Sequence, residues 1–406
     1  MKQEKGSVLG ATFLVAGTCI GGGILALPVA TGQAGFFPST LFMLIGWAFM
    51  TLTALFLVEI NMWMPEGAHF VTMASKLLGP LGKAAAWILY LFVGYASLVA
   101  YTAGGGDLFA VGINKFLGFV IDPRLATFLF VAIFGFVVYL GNVMVGRVNT
   151  FLMVGLIVSY FLLISTGSSS IRWSNLVRKE WGSTLLAVPL LLTIFSFQTI
   201  VPSLSIYLKK DGRALRLAII CGTTLALIVY LIWQALVLGT VLVDGDYGLA
   251  KALAMGKPAT DFLGVATGRP WLQSLADFFA FFALVTSFLG IALGLFDFLS
   301  DSLKIKPRKS GGIALLALIV IPTLFFALVM ERVFLTALDA TGGLGDSLLN
   351  GLLPALMLWV GRYHKKFHSE FKTFGGKPLL VFVMVWAIFV LTIELLGKFG
   401  LMASLG

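Results

Sequence analysis

The chain has 406 residues, 59% hydrophobic and 11% charged, with a net charge of +10 and a mean hydropathy of +1.01. Soluble domains carry about 25% charged residues, so this composition excludes a soluble globular protein and reads as one bundle of membrane helices. The positive charge follows membrane topology and is no nucleic-acid footprint. Cys19 and Cys221 both fall in apolar runs and read as buried thiols rather than a disulfide framework.

Eleven apolar runs suit helices that cross a bilayer, at about 20 residues each. They are 7–30, 39–62, 84–112, 124–143, 148–166, 183–208, 214–240, 271–303, 312–330, 334–360 and 378–398. The expected fold class is an all-α polytopic membrane protein, with a single transmembrane domain over 1–406. The first run is glycine-rich where a cleaved leader would be leucine-rich, so it is read as a span. With the N-terminus inside, 18 of the 28 Lys and Arg residues fall on the inner side. Loops 209–216 and 304–309 vote most clearly for this, and 172–179 votes against. The expectation is a cytoplasmic N-terminus and an external C-terminus, with the lipid bilayer as surroundings. The longest connection, 241–270, reads equally well as a partly helical lid or a surface loop.

The first span carries Ala16-Gly17-Thr18-Cys19-Ile20-Gly21-Gly22-Gly23-Ile24 at mid-depth. Each glycine costs about 1 kcal/mol against alanine in a helix. Unwound backbone at that depth is tolerated only where it is buried in protein or lines a cavity. Bare N–H groups there suit a carboxylate. Gly17 and Gly21 also have the G-x-x-x-G spacing of a helix-packing face.

Five spans later comes Leu192-Thr193-Ile194-Phe195-Ser196-Phe197-Gln198-Thr199-Ile200-Val201-Pro202-Ser203. Pro202 removes a backbone donor, while Ser196, Gln198 and Thr199 can satisfy freed backbone groups. A break is predicted near 196–202. Paired interruptions in corresponding spans point to a midplane site in inverted-repeat transporters. The expected halves are 7–166 and 183–360, with 378–398 as an extra helix.

At these residues the chain resembles the hydroxy/aromatic amino acid permease family, closest to its tyrosine- and tryptophan-specific members. The resemblance rests on residues 17–28, on Val201-Pro202-Ser203, and on the long run 283–297, which contains Thr286, Ser287 and Asp297. It implies the leucine-transporter-like fold of the amino acid–polyamine–cation superfamily, a 5+5 inverted repeat with helices 1 and 6 discontinuous. It also implies secondary active import of tyrosine or tryptophan across the bacterial inner membrane by alternating access. The alternatives are a channel, or a carrier for other neutral amino acids such as serine and threonine. At Gln198 and Thr199 the chain departs from the His-Gly found in some members, which leaves side-chain selectivity open.

An amino acid zwitterion needs donors for its carboxylate and acceptors for its ammonium. The amides of Gly22 and Gly23 open the second half of span one and suit the carboxylate, with Gly17, Thr18 and Gly21 beside them. Carbonyls near Phe195 and Ser196 suit the ammonium. Phe195, Phe197 and Tyr101 supply flat walls, and Gln198 can meet a phenol or indole polar atom. No cofactor is expected beyond a coupling ion. In sodium-coupled relatives the matching positions would be Gly17, Ile20, Ala283, Thr286 and Ser287. The family resemblance favours a proton. Glu59 and Asp297, ionisable groups inside spans, are expected as proton relays or gating groups. Asp339 and Asp346 flank Gly342-Gly343 in an irregular span ten. The three histidines fall in predicted loops and the spans hold no metal-ligand or nucleophile constellation, which argues against an enzyme.

Overall fold

The computed structural model describes residues 6–255, 258–307, 310–330, 337–338, 341–399 and 401, and their regular structure is helical throughout. Helix α1 (Val8–Cys19) begins at Ser7, whose hydroxyl accepts from Gly10 N at 2.9 Å. It ends at Ile20, and α2 (Gly22–Thr31) continues at an angle of 44°. Next come α3 (Phe36–Met62) and α4 (Phe70–Leu117). Helix α4 is interrupted at Gly79, whose φ of +73° ahead of Pro80 suits only glycine. The residues before that point form a helix of their own, which is why α4 starts well ahead of the expected 84. Helices α5 (Pro123–Tyr139) and α6 (Asn142–Gly167) are joined by a tight turn at Gly141. Short α7 (Trp173–Leu176) leads to α8 (Trp181–Thr193) and α9 (Val201–Tyr207), the two halves of the sixth span.

Helix α10 (Gly212–Thr240) is capped by Asp211, which accepts from Arg213 N and Ala214 N. Helices α11 (Leu249–Ala254) and α12 (Thr260–Thr267) lie in the long connection. The chain closes with α13 (Pro270–Leu303), α14 (Ser310–Val329), α15 (Leu353–Trp359) and α16 (Gly376–Lys398). Helix α15 sits between π-helical runs Thr341–Leu352 and Val360–His364, so span ten is irregular as expected. Its expected start at 334, and Asp339, lie outside the described residues.

Among the described residues, nine helices are long and apolar enough to cross a membrane, or ten with the bent α1–α2 pair; α5 is a shorter apolar helix. These match the eleven expected runs. Helix α13 is 83% buried in its apolar stretch, against 22% for α14 and 33% for α16. So α13 forms the core, packed on α4, α6 and α1, while α14 and α16 line the rim.

The 241–270 connection is partly helical and seated. Leu249, Ala252, Ala259 and Leu263 are buried, and Ala259 N donates to Leu25 O of α2 at 3.4 Å. At the opposite end of α2's partner helices the loops interlock. Lys210 Nζ donates to Met64 O at 2.5 Å, and Ser205 Oγ to Asn61 Oδ1 at 2.6 Å. His69 N donates to Asp301 Oδ2 at 3.1 Å.

Candidate functional site

The first break is a short loop of backbone. Ile20 N still donates to Ala16 O (2.7 Å), but Gly21 N turns back to Cys19 O (2.7 Å). Gly21, at φ −115° and ψ −146°, leaves the helical region, and no side chain caps α2. The N–H groups of Gly22 and Gly23, at the head of α2, belong to the set a helix start leaves without internal acceptors. Glycine is required here by proximity as well. A Cβ on Gly21 would lie 2.1 Å from Ser287 Oγ, and one on Gly23 would lie 2.9 Å from Ile194 Cγ2.

The second break runs from Ile194 to Ile200. Phe195 N and Ser196 N make tight turns to Leu192 O and Thr193 O, and Phe197 leaves the helical region at φ −141°. The break lies where the sequence predicted, but Pro202 is not its hinge. Pro202 is the second residue of α9, a position where a missing N–H costs nothing.

The two breaks face each other and share side chains that the sequence did not single out. The hydroxyl of Tyr230, in α10, lies 2.5 Å from Cys19 O and 2.7 Å from Ile194 O, so one group serves the frayed ends of both α1 and α8. Trp233 Nε1 donates to Ile24 O at 2.8 Å. Tyr90, from α4, donates to Thr199 O at 2.8 Å. Cys19 O also accepts from Gly21 N, but Ile194 O lies past the end of α8 and Ile24 O faces Pro28, which has no N–H, and leaving such carbonyls bare in an apolar interior would cost about 1–3 kcal/mol each. Tyrosines in membrane helices favour the interface, so Tyr90 and Tyr230 at mid-span were the available signal.

Of the predicted contact residues, the structure brings most together. Tyr101 is buried beside Gly21, 3.5 Å from where its Cβ would be. Phe195 is fully buried and meets Tyr230 edge-on at 5.2 Å. Phe197 is fully buried in the break. Ser196 Oγ donates to Asp346 Oδ1 at 2.6 Å. Gln198 requires a correction: its amide does not point at open space for a ligand. Its Nε2 donates to Met50 O (2.9 Å) and Thr53 Oγ1 (3.1 Å), and its Oε1 accepts from Phe197 N (3.0 Å). An unwound segment needs such partners more than a substrate does, so Gln198 splints the break to α3.

The oxygens expected for a coupling ion also gather. Ser287 Oγ lies 2.8 Å from Gly17 O and 2.9 Å from Thr18 O. Thr286 Oγ1 is 3.1 Å from Gly17 O and 3.0 Å from Ala283 O. Ile20 caps α1 almost a turn further on. Asn149 of α6 adds a buried Oδ1 without a partner among the described residues, 3.2 Å from where a Cβ on Gly17 would be. Neutral oxygens in this number suit a monovalent cation, although both hydroxyls are already placed to donate to carbonyls.

Glu59 lies in α3 beside the loops after span ten, and Asp297 lies in α13 one turn beyond Gly294, which abuts Thr199 O of the second break. Arg362 grips Glu59 with two bonds, Nε to Oε1 at 2.8 Å and one from its terminal nitrogen to Oε2 at 2.5 Å. Thr373 N donates to the same carboxylate at 2.6 Å. Asp297 Oδ2 accepts from Asn142 Nδ2 at 3.0 Å. A cavity of about 280 Å³ is separate from the breaks, between the Leu117 end of α4 and the start of α13, lined by Phe109, Phe278 and Phe281.

The sequence profile of the tryptophan/tyrosine permease family matches residues 4–394. A tryptophan-specific transport protein of Pseudomonas aeruginosa is 30% identical over 393 residues, covering 95% of this chain and 94% of the relative. Tyrosine-specific transport system 1 of Haemophilus influenzae is 30% identical over 398 residues, covering 97% of each. The low affinity tryptophan permease of Escherichia coli K12 is 27% identical over 421 residues, covering 98% of this chain and 99% of that one. Among solved structures, a nucleobase-cation-symport-1 family transporter, in a closed conformation with bromovinylhydantoin bound, superposes with a TM-score of 0.65. At 14% identity, covering 96% of this chain and 91% of that one, this likeness shows the fold, the leucine-transporter-like bundle with its first and sixth spans discontinuous. With its profile matched almost from end to end, this multi-pass membrane chain belongs to the tryptophan/tyrosine permease family, whose members are transporters rather than enzymes.

Proposed function

We propose that the chain imports an aromatic amino acid, tryptophan or tyrosine, across the bacterial inner membrane as a cation symporter working by alternating access. The observation that carries this is the apposition of the two breaks, with Gly23 against Ile194 and Tyr230 within hydrogen-bonding distance of both. Broken helix ends at mid-bundle, with the amides of Gly22 and Gly23 outside the helical ladder, suit replacing the water around a zwitterion. The substrate carboxylate takes the amides of Gly22 and Gly23, with Gly17, Thr18 and Gly21 forming the wall behind. Backbone carbonyls near Phe195 and Ser196 face the ammonium. Tyr101, Phe195 and Phe197 enclose the ring. The names of the relatives support an aromatic substrate.

On this reading 7–166 and 183–360 are the two halves of an inverted repeat. The interlocked loops, together with Glu59 and Asp297, form the cytoplasmic gate, which must part for release. The Gly17, Ala283, Thr286 and Ser287 oxygens are the place for sodium if sodium is the coupling ion, whereas the family resemblance favours a proton. Purified carrier in proteoliposomes, with labelled tryptophan or tyrosine under imposed proton or sodium gradients, tests this. Uphill, saturable uptake driven by one gradient and accelerated by internal unlabelled substrate is expected. Non-saturable flux, or competition by serine and threonine alone, would overturn the reading.

A further inference from the structure

Two buried acceptor atoms near the second break have no hydrogen-bond partner among the described residues, Asp346 Oδ2 and Asn350 Oδ1. Both residues are fully buried, about one turn apart in the π-helical run Thr341–Leu352. Their other polar atoms are fixed. Ser196 Oγ donates to Asp346 Oδ1 at 2.6 Å, and Asn350 Nδ2 donates to the same oxygen at 2.6 Å. Asn350 Nδ2 also reaches Ser196 Oγ at 3.0 Å. Ser196 belongs to the second break. Tyr101, which touches the first, lies within electrostatic reach of Asp346. The two unpaired oxygens therefore stand beside the second break, on the side from which Tyr101 reaches the first.

Among the described residues Asp346 is paired with no cation. The hydroxyl of Thr193, which donates to Pro189 O at 3.2 Å, is also near enough to bond the Asp346 carboxyl, but it brings no charge. Behind Gly343 stands Glu394 of α16, itself paired with Lys398 at 2.9 Å. A carboxylate buried in a membrane bundle without a counter-charge is strongly unfavourable. A phenol or an indole would bring one donor and no charge, and a substrate carboxylate would be repelled. A primary ammonium brings three N–H donors and the missing positive charge.

We propose that Asp346 and Asn350 form the subsite for the substrate's α-ammonium group, with Ser196 orienting the carboxylate. This rests on the reading above that an amino acid zwitterion lies between the breaks. It adds a span-ten carboxylate to the acceptors of span six.

Equilibrium binding to the purified full-length carrier tests it, using tryptophan and indole-3-propionate, which is the same molecule without the ammonium. Wild type is expected to prefer tryptophan, and Asp346→Asn to lose about 30-fold or more in tryptophan affinity, the usual scale for truncating one partner of a buried charge pair. Indole-3-propionate should bind the variant no worse than wild type, so the preference collapses. A variant that keeps the wild-type preference overturns the assignment. So does one that loses only the sodium or proton dependence of binding, since Asp346 would then hold the coupling ion. If Asp346→Asn fails to assemble, Asn350→Leu decides: it should weaken tryptophan selectively, and an equal loss for both ligands refutes the subsite. Wild type that binds neither tryptophan nor tyrosine overturns the underlying reading and the subsite with it, an outcome distinct from both variant failures.

Discussion

Tyr230 does more for the two breaks than any residue within them. Its single O–H proton is shared between Cys19 O, which also accepts from Gly21 N, and Ile194 O, which removal of the hydroxyl would strip of this donor. Tyr230→Phe is therefore expected to lower stability by about 1–3 kcal/mol and to cut uptake severely, measured by thermal unfolding in detergent and by transport. Gly21 is the steric counterpart. Its missing Cβ is what lets Ser287 approach, so Gly21→Ala should abolish uptake, and the added change Ser287→Gly should restore part of it. No recovery in the double variant would show that Gly21 is needed for its backbone conformation instead. His69 makes a different kind of prediction. Burial among Phe70, Tyr90 and Phe298 pushes its pKa down to about 3, only partly countered by Asp301. An unfolded histidine titrates near pH 6.5. The neutral ring's contribution is thus fully present above about pH 6.5 and is lost as the pH falls toward 3. The melting temperature should decline over that window in wild type, and decline less in His69→Phe.

At the scale of helices, the breaks have two different origins. Run 16–24 reads as weak helix from its glycines alone, and it does unwind there. In span six the proline draws attention, yet Pro202 sits in a permissive place at the head of α9. What holds the chain open is Gln198, pinned to Met50 and Thr53, and Tyr90 on Thr199 O. Pro202→Ala, which trims a buried ring but breaks no backbone bond, is accordingly expected to cost about 1 kcal/mol and to change uptake by less than about twofold. Gln198→Leu, which strips Phe197 N of its acceptor, should destabilise by about 1–3 kcal/mol and remove transport. The reverse order of severity would make the proline the hinge after all. The same contrast explains what the sequence concealed. Asp346 was visible as an acid in an irregular span, but only folding sets it against Ser196.

Across the whole bundle, the interlocked loops are tied by a buried ion pair. Glu59 and Arg362 are 303 positions apart, with side chains 3% and 6% exposed. Breaking such a pair leaves an uncompensated charge, at about 3–5 kcal/mol. Glu59→Gln and Arg362→Met should each destabilise strongly, and the double variant by clearly less than their sum; additive losses in a double-mutant cycle would mean the groups act independently. The expected spans fall within a few residues of the helices because hydropathy and lipid thickness are local properties. Where they miss, a single residue is responsible, as Gly79 is for the early start of α4.

The amino-acid order by itself determined that this protein spans a membrane, where its spans lie, and that the first and sixth are interrupted. Lipid cannot hydrogen-bond a peptide group, so apolar length and glycine or proline content write those facts directly into the chain. Tertiary structure alone decided which groups meet the interruptions: Tyr230, Trp233 and Gln198 on bare backbone, Asp346 and Asn350 beside Ser196. Those partners come from distant spans, and only packing, which no local pattern encodes, brings them within the 2.5–3.5 Å reach of a hydrogen bond.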